Sequence, residues 1–314
     1  MLVSQVQDAY EMIDNPKASG RKIGRKIEKI SDKPNIEVKT VEGEKGSTDF
    51  LKITFPGRKG KIEGGNFPTL GIIGRLGGVG ARPEMIGSVS DADGAIVALS
   101  VGLKMASMMD KGDLLAGDLI ITTHVCPEAP TKPHDPVPFM DSPVDMKKMN
   151  ELEVDSRMDA LLSVDATKGN RVINKKGFAI SPTVKEGYIM KVNEALLDIM
   201  EIVTGKPPIT FPLSISDITP YGNDLYHINS ILQPSTDTDK PVVGVATTSG
   251  KTVPGLATGA NYPDALEETA RFCLEVAKQF TGGKFTFIEE DNFTRIKGLY
   301  GSMKRFQENP KGGN

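Results

Sequence analysis

Four short apolar segments, each running into a loop and separated by helical patterns, constrain this chain more than any other feature. Thr69–Ile73, Asp118–His124, Ala160–Val164 and Pro241–Thr247 are rich in Ile, Leu and Val and have uncharged interiors. Runs of that kind read as strands buried on both faces. Between and after them come long helical patterns at Asp93–Met109, Glu186–Gly205 and Pro263–Phe280. Pro263 is placed as a first helical residue, and Gly205 and Gly282 as stops. Strands that alternate with long helices call for a mostly parallel, mixed sheet with helices on both faces, a three-layer αβα sandwich of the α/β class. In such sheets ligands bind beyond the carboxyl ends of the strands.

The flanking segments add detail. Val3–Ile30 reads as one or two helices, broken near Asn15-Pro16 because proline cannot continue a helix that precedes it. Ile36–Phe55 reads as a hairpin turning at Glu42–Gly46. Pro127–Pro143 carries six prolines and is expected to be irregular. Pro208–Ile218 looks extended and Gly222–Leu232 helical. No linker or repeat divides the chain, so the expectation is one domain over 1–314. Residues 1–35 form a helical extension, 36–285 the αβα core and 286–314 a tail. The extension is a candidate for assembly rather than core.

Charge and cysteine content narrow the function classes. There are 38 basic and 41 acidic residues, a formal net charge of −3. That balance offers no general attraction to nucleic acid or to anionic lipid. The basic run Arg21–Lys29 fits the solvated face of a helix. Two cysteines, Cys126 and Cys273, make no disulfide framework and fit a reducing compartment. Met1–Gly20 contains Asp8, Glu11 and Asp14 without an apolar signal core, and no run of apolar residues is long enough to span a bilayer. The expectation is a cytoplasmic protein with neither nucleic acid nor membrane as partner.

Three strand ends carry groups capable of chemistry. Ser90-Asp91-Ala92-Asp93-Gly94 is a tight acidic loop opening a helix. It is either an N-cap with a first-turn aspartate, favoured by the helix dipole, or a pair of carboxylates aimed into a cleft. His124-Val125-Cys126-Pro127-Glu128 precedes His134-Asp135, so two of three histidines and one of two cysteines fall within eleven residues. On an extended chain His124, Cys126 and Glu128 share a face, and imidazole, thiolate and carboxylate are the usual zinc ligands. The alternative is a small buried thiol and two histidines bonded to loop backbone. Asp165 ends a strand as either a turn-former or a ligand. The glycine-rich Gly74–Gly80 lacks the register of a phosphate-binding loop.

The order of these landmarks resembles the zinc exopeptidase superfamily of aminopeptidases, carboxypeptidases and deacylases, and most closely its large self-assembling aminopeptidases. More narrowly, Thr123-His124-Val125-Cys126-Pro127, Ala129-Pro130-Thr131, Pro133-His134 and Pro136–Met140 resemble an uncharacterised bacterial and archaeal domain-of-unknown-function family, number 1177. The superfamily resemblance implies a metal-bridging aspartate at Asp91, with Asp93 as alternate, and a metal carboxylate in Asp165-Ala166-Thr167. It also implies homo-oligomers. The chain departs from that pattern in three places. Gly74-Arg75-Leu76-Gly77 stands where the superfamily has Gly-His-x-Asp, Val125-Cys126 where it has a Glu-Glu pair, and no histidine occurs in 251–261. A two-zinc site of the usual kind is therefore not expected.

Two readings follow. In the first, the chain is a metal-dependent hydrolase of a small peptide-like or cyclic amide substrate. One zinc is then held by a set drawn from Asp91, Asp93, His124, Cys126, His134 and Asp165. Glu128 serves as general base, and Arg75 as a permanent cation for a substrate carboxylate. In the second, the metal site is gone, Arg75 neutralises Asp91 or Asp165, and the protein binds a ligand or assembles on a peptidase fold.

Overall fold

The computed structural model describes residues 1–75, 88–133, 139–168, 172–221, 225, 231–251 and 261–308. The chain opens with α1 (Val3–Asp14) and α2 (Gly20–Glu28), then the hairpin β1 (Asn35–Gly43) and β2 (Gly46–Phe55). β3 (Leu70–Gly74), α3 (Asp93–Asp110), β4 (Leu119–Val125) and the short pair β5 (Thr131–Lys132) and β6 (Phe139–Met140) follow. Next come α4 (Met146–Glu153), β7 (Ala160–Ala166), β8 (Gly177–Ile180), β9 (Val184–Lys185), β10 (Tyr188–Ile189) and α5 (Glu194–Thr204). β11 (Val242–Thr248), α6 (Pro263–Thr281) and α7 (Glu290–Tyr300) complete the order.

The sheet runs β1-β2-β4-β3-β7-β11-β9-β10, with β8 also on β11. Its centre, β4-β3-β7-β11, is parallel, and the hairpin adds antiparallel strands at one edge. All four central strands are the segments the sequence marks as doubly buried. On one face Ile72, Ile121, Leu162 and Val245 pack beneath α3 and α6 in the largest core. On the other, Ile73, Ile120 and Leu161 meet Met158 and the loops beside α4. This is the mixed αβα architecture the alternation implies. α3 is long and apolar enough to cross a membrane by length and composition alone, but it is the central buried helix of this core.

Several expectations need correcting. The N-terminal helices are core, not an appendage: Val6, Ala9, Ile13, Ile23 and Ile27 are buried in the main cluster. Neither Ser90 nor Asp91 caps α3, because Ser90–Ala92 forms a 3₁₀ turn that leads directly into it. The proline-rich run is not wholly irregular, since β5 and β6 pair within it. The helix expected from Glu186 begins at Glu194, after β9 and β10 form a hairpin with Glu186 at φ 49°. The tail contains α7. The expected helix at Gly222–Leu232 lies almost wholly outside the described residues.

Parallel register decides where chemistry collects. Gly74 pairs with Thr123 of β4 and with Val164 of β7, while Asp165 pairs with Ala246 of β11. His124, Arg75 and Asp165 therefore stand in one row at the carboxyl edge. α3 starts directly over that row. A Cβ on Gly94 would lie 2.3 Å from the Val164 carbonyl oxygen, and one on Gly74 2.5 Å from the Gly94 carbonyl oxygen. Glycine at both positions is what lets Asp91 and Asp93 sit against the strand ends.

Candidate functional site

Two charged clusters occupy this edge. The first is centred on Glu153, the last residue of α4. Arg75 Nη1 donates to Glu153 Oε2 at 2.6 Å, and His124 Nδ1 lies 2.7 Å from Glu153 Oε1. An ionised carboxylate only accepts, so Nδ1 carries the hydrogen. Nη2 of Arg75 meets the Met146 sulfur, and its Nε has no partner. The side chains of Arg75 and Glu153 are 0% and 1% exposed. Burial pushes the Glu153 carboxyl up, but Arg75 and then His124 outweigh it and hold it below the ordinary range. Thr122 Oγ1 bonds the Glu153 carbonyl at 2.8 Å, and Phe50 packs on the His124 ring with centroids 5.4 Å apart, so both strands fix the group.

The second cluster lies where β7, β11 and the start of α3 meet. Asp91, Asp93 and Asp165 are all buried. Asp93 is held on every side. Thr247 Oγ1 donates to its Oδ2 at 2.6 Å, Asn261 Nδ2 donates to its Oδ1 at 2.6 Å, and the buried Lys168 ammonium forms an ion pair with it. Lys168 also lies over the Tyr262 ring, 5.2 Å from its centroid. The backbone N–H of Ala166 donates to Asp165 Oδ1 at 2.7 Å. Asp91 is pushed well above the usual carboxylate range, first by burial, then by the charges of Asp165 and Asp93, with Lys168 opposing. The cluster thus sets an ion-paired aspartate beside one whose charged form burial and like charges disfavour.

The other sequence candidates fall elsewhere. Cys126 is buried and donates to the Ser47 carbonyl at 3.5 Å, and burial pushes its thiol up to about 12. It is a neutral thiol, ill suited as a thiolate ligand. Glu128 is exposed. His134 lies outside the described residues. Arg75 makes its ion pair with Glu153, an acid the sequence reading did not single out, instead of facing a substrate or Asp91. Glu153, Lys168, Thr247 and Asn261 are all additions of the structure.

A zinc ion of the kind the resemblance implies does not fit these residues. No three His, Cys, Asp or Glu side chains among the described residues are gathered as a metal site. Asp93 already holds a lysine ammonium.

The fold is that of aminopeptidase-type α/β proteins. It is similar to the LapA aminopeptidase of Legionella pneumophila, with a TM-score of 0.53 at 10% identity over 89% of this chain and 71% of that one. It is likewise similar to the bottromycin maturation enzyme BotP, with a TM-score of 0.51 at 12% identity over 88% of this chain and 70% of that one. The chain itself belongs to the family described as Protein of unknown function (DUF1177), whose model matches residues 39–310. No curated protein sequence matches it.

Proposed function

We propose that this chain is a ligand-binding protein on a peptidase-type fold. The carboxyl edge of its sheet takes a small peptide-like or cyclic amide ligand, and its buried carboxylates receive their positive charge from the chain instead of zinc. The observation that carries this reading is the Lys168 ammonium seated on Asp93, where its charge also acts on Asp91. A lysine there neutralises one carboxylate, and burial with like charges presses Asp91 toward its neutral form. A protonated carboxyl and an ammonium donate hydrogen bonds to an amide carbonyl, while ionised oxygens accept from its N–H.

The metal-dependent hydrolase is the second reading, and one observation favours it. Three aspartates share one buried region, and a histidine beside it has its Nδ1 oriented by a carboxylate, as metal-bound histidines commonly do. In that reading Lys168 gives way to one zinc ion and Glu128 is the base. Lys168→Met separates the two. Under the first reading the variant stays metal-free and loses stability. Under the second it takes up zinc more readily than the wild type, and Glu128→Gln abolishes amide hydrolysis while keeping the metal.

Homo-oligomer formation and a cytoplasmic setting belong to the same proposal. Cys126 and Cys273 are free, buried thiols, in keeping with a reducing compartment. Mass in solution tests the assembly.

A further inference from the structure

β1 is the outermost strand of the sheet, nine residues long, and among the described residues it pairs only with β2. No other described residue bonds to the main chain on its lateral side. An edge of that length is a template for another strand unless something blunts it. The turn fixes which main-chain groups lie open. Gly43 pairs with Gly46 across the two residues Glu44-Lys45. The closing pair of such a hairpin exchanges both of its hydrogen bonds, and the pairs behind it alternate between bonded and non-bonded. Gly43, Val41, Lys39, Glu37 and Asn35 therefore bond to β2. The N–H and C=O groups of Glu42, Thr40, Val38 and Ile36 point off the sheet.

The side chains of β1 divide between two faces. Ile36 and Val38 are half-buried beneath α2, where a Cβ on Gly24 would lie 3.1 Å from Ile36 Cγ2 and one on Gly20 2.9 Å from Val38 Cγ1. Glu37 and Lys39 are exposed on the opposite face. A lone lysine protects an edge, because a second copy would set it against a like charge. An acid two residues from the lysine reverses that argument in one register. With two copies antiparallel about a two-fold axis at Val38, Val38 meets Val38 and Ile36 meets Thr40 in hydrogen-bonded pairs. Glu37 then faces Lys39 of the second copy, twice, in the non-hydrogen-bonded pairs where side chains stand closest. An axis at Glu37 or at Lys39 would instead oppose like charges. On the other face, α2 brings the exposed Arg21 and Arg25 to the Val38 side of the strand, and the same register brings the exposed Glu42 of the second copy.

We propose that β1 is a self-pairing edge, at which two copies of this chain join antiparallel about Val38 and continue one sheet through both. The partner is a second copy because the open main-chain groups and the Glu37–Lys39 pair complement themselves under that one axis, as an isologous interface requires. The inference supplies the interface for the homo-oligomer of the proposed function and rests on that reading.

The mass of the full chain in solution, followed by sedimentation over a range of concentration, tests it. The wild type should be a dimer or a multiple of one. Glu37→Lys and Lys39→Glu should each weaken self-association about tenfold or more, since each sets like charges opposite at two places at once. The double variant Glu37→Lys/Lys39→Glu should regain the wild-type mass, and mixing the two single variants should give a mixed dimer, because both restore opposite charges across the axis. A wild type that stays monomeric, as it would if the edge served a strand from a different protein, overturns both the interface and the assembly. An oligomer that neither single variant weakens, or that the double variant fails to restore, overturns the interface alone.

Discussion

The two charged clusters at the carboxyl edge of the sheet are built on opposite balances. Around Glu153 one carboxylate serves two basic groups, an arginine and a histidine. Around Asp93, among the described residues, three carboxylates share one lysine. The first holds its acid ionised, and Glu153 sits low. In the second the charges of Asp165 and Asp93 add to burial and Lys168 only partly opposes them, so Asp91 sits high. Burial raises both carboxyls, and the cations beside each decide whether that rise is outweighed, so the same depth of burial ends in opposite shifts. The Glu153 cluster acts as a structural lock across β3, β4 and α4. The Asp93 cluster places a strongly perturbed carboxyl at the strand ends, as binding sites commonly do.

The largest test of this contrast is Glu153→Gln. It strands the fully buried Arg75 without its counter-charge, and breaking a buried pair from one side costs about 3–5 kcal/mol. Chemical denaturation measures it, and a loss well under that range would mean Arg75 is compensated by another group. Asp93→Asn should cost less, about 1–3 kcal/mol, because Lys168 still feels the charge of Asp91. If the two losses were equal, the clusters would not differ as described.

The smallest effect, and the sharpest, lies in pH dependence. Glu153 has a depressed pKa, so its contribution is present above the ordinary glutamate value of about 4.3 and is lost as pH falls below that toward the folded value. Asp91 has a raised pKa, so the sign reverses. The folded state keeps a proton that the unfolded chain gives up, and stability falls as pH rises above about 3.9. Asp91→Asn should therefore change stability by under about 1 kcal/mol in acid and gain on the wild type as pH rises. Stability curves from pH 4 to 8 check this. A difference that does not vary with pH would contradict the protonated Asp91.

Much of this edge was legible in the chain. The four apolar runs placed the parallel strands, and the rule that sites gather past their carboxyl ends pointed to Asp91, Asp93, Arg75, His124 and Asp165. All five are found at that edge. What could not be read was which acid faces which base. Glu153 ends a short helix of polar sequence, Met146–Glu153, just past the prolines. The one local signal was Asp145, whose side chain accepts from the Lys148 N–H at 2.7 Å as an N-cap. Lys168 was equally hidden. A lysine two residues beyond a strand is ordinarily solvated, and tertiary packing against Tyr262 and Asp93 buries it. The cysteine misled for a related reason. Its spacing from His124 suits a zinc ligand, but the antiparallel hairpin that carries Ser47 closes over it and keeps it neutral.

The central claim, that the strand-end carboxylates draw their positive charge from the chain itself, is tested most directly by elemental analysis for zinc. The protein is purified without chelator and measured as wild type, His124→Ala and Asp165→Ala, before and after incubation with the metal. The account predicts no stoichiometric zinc in any of the three. Near one equivalent in the wild type, lost in both variants, would contradict it and establish the metal-dependent site.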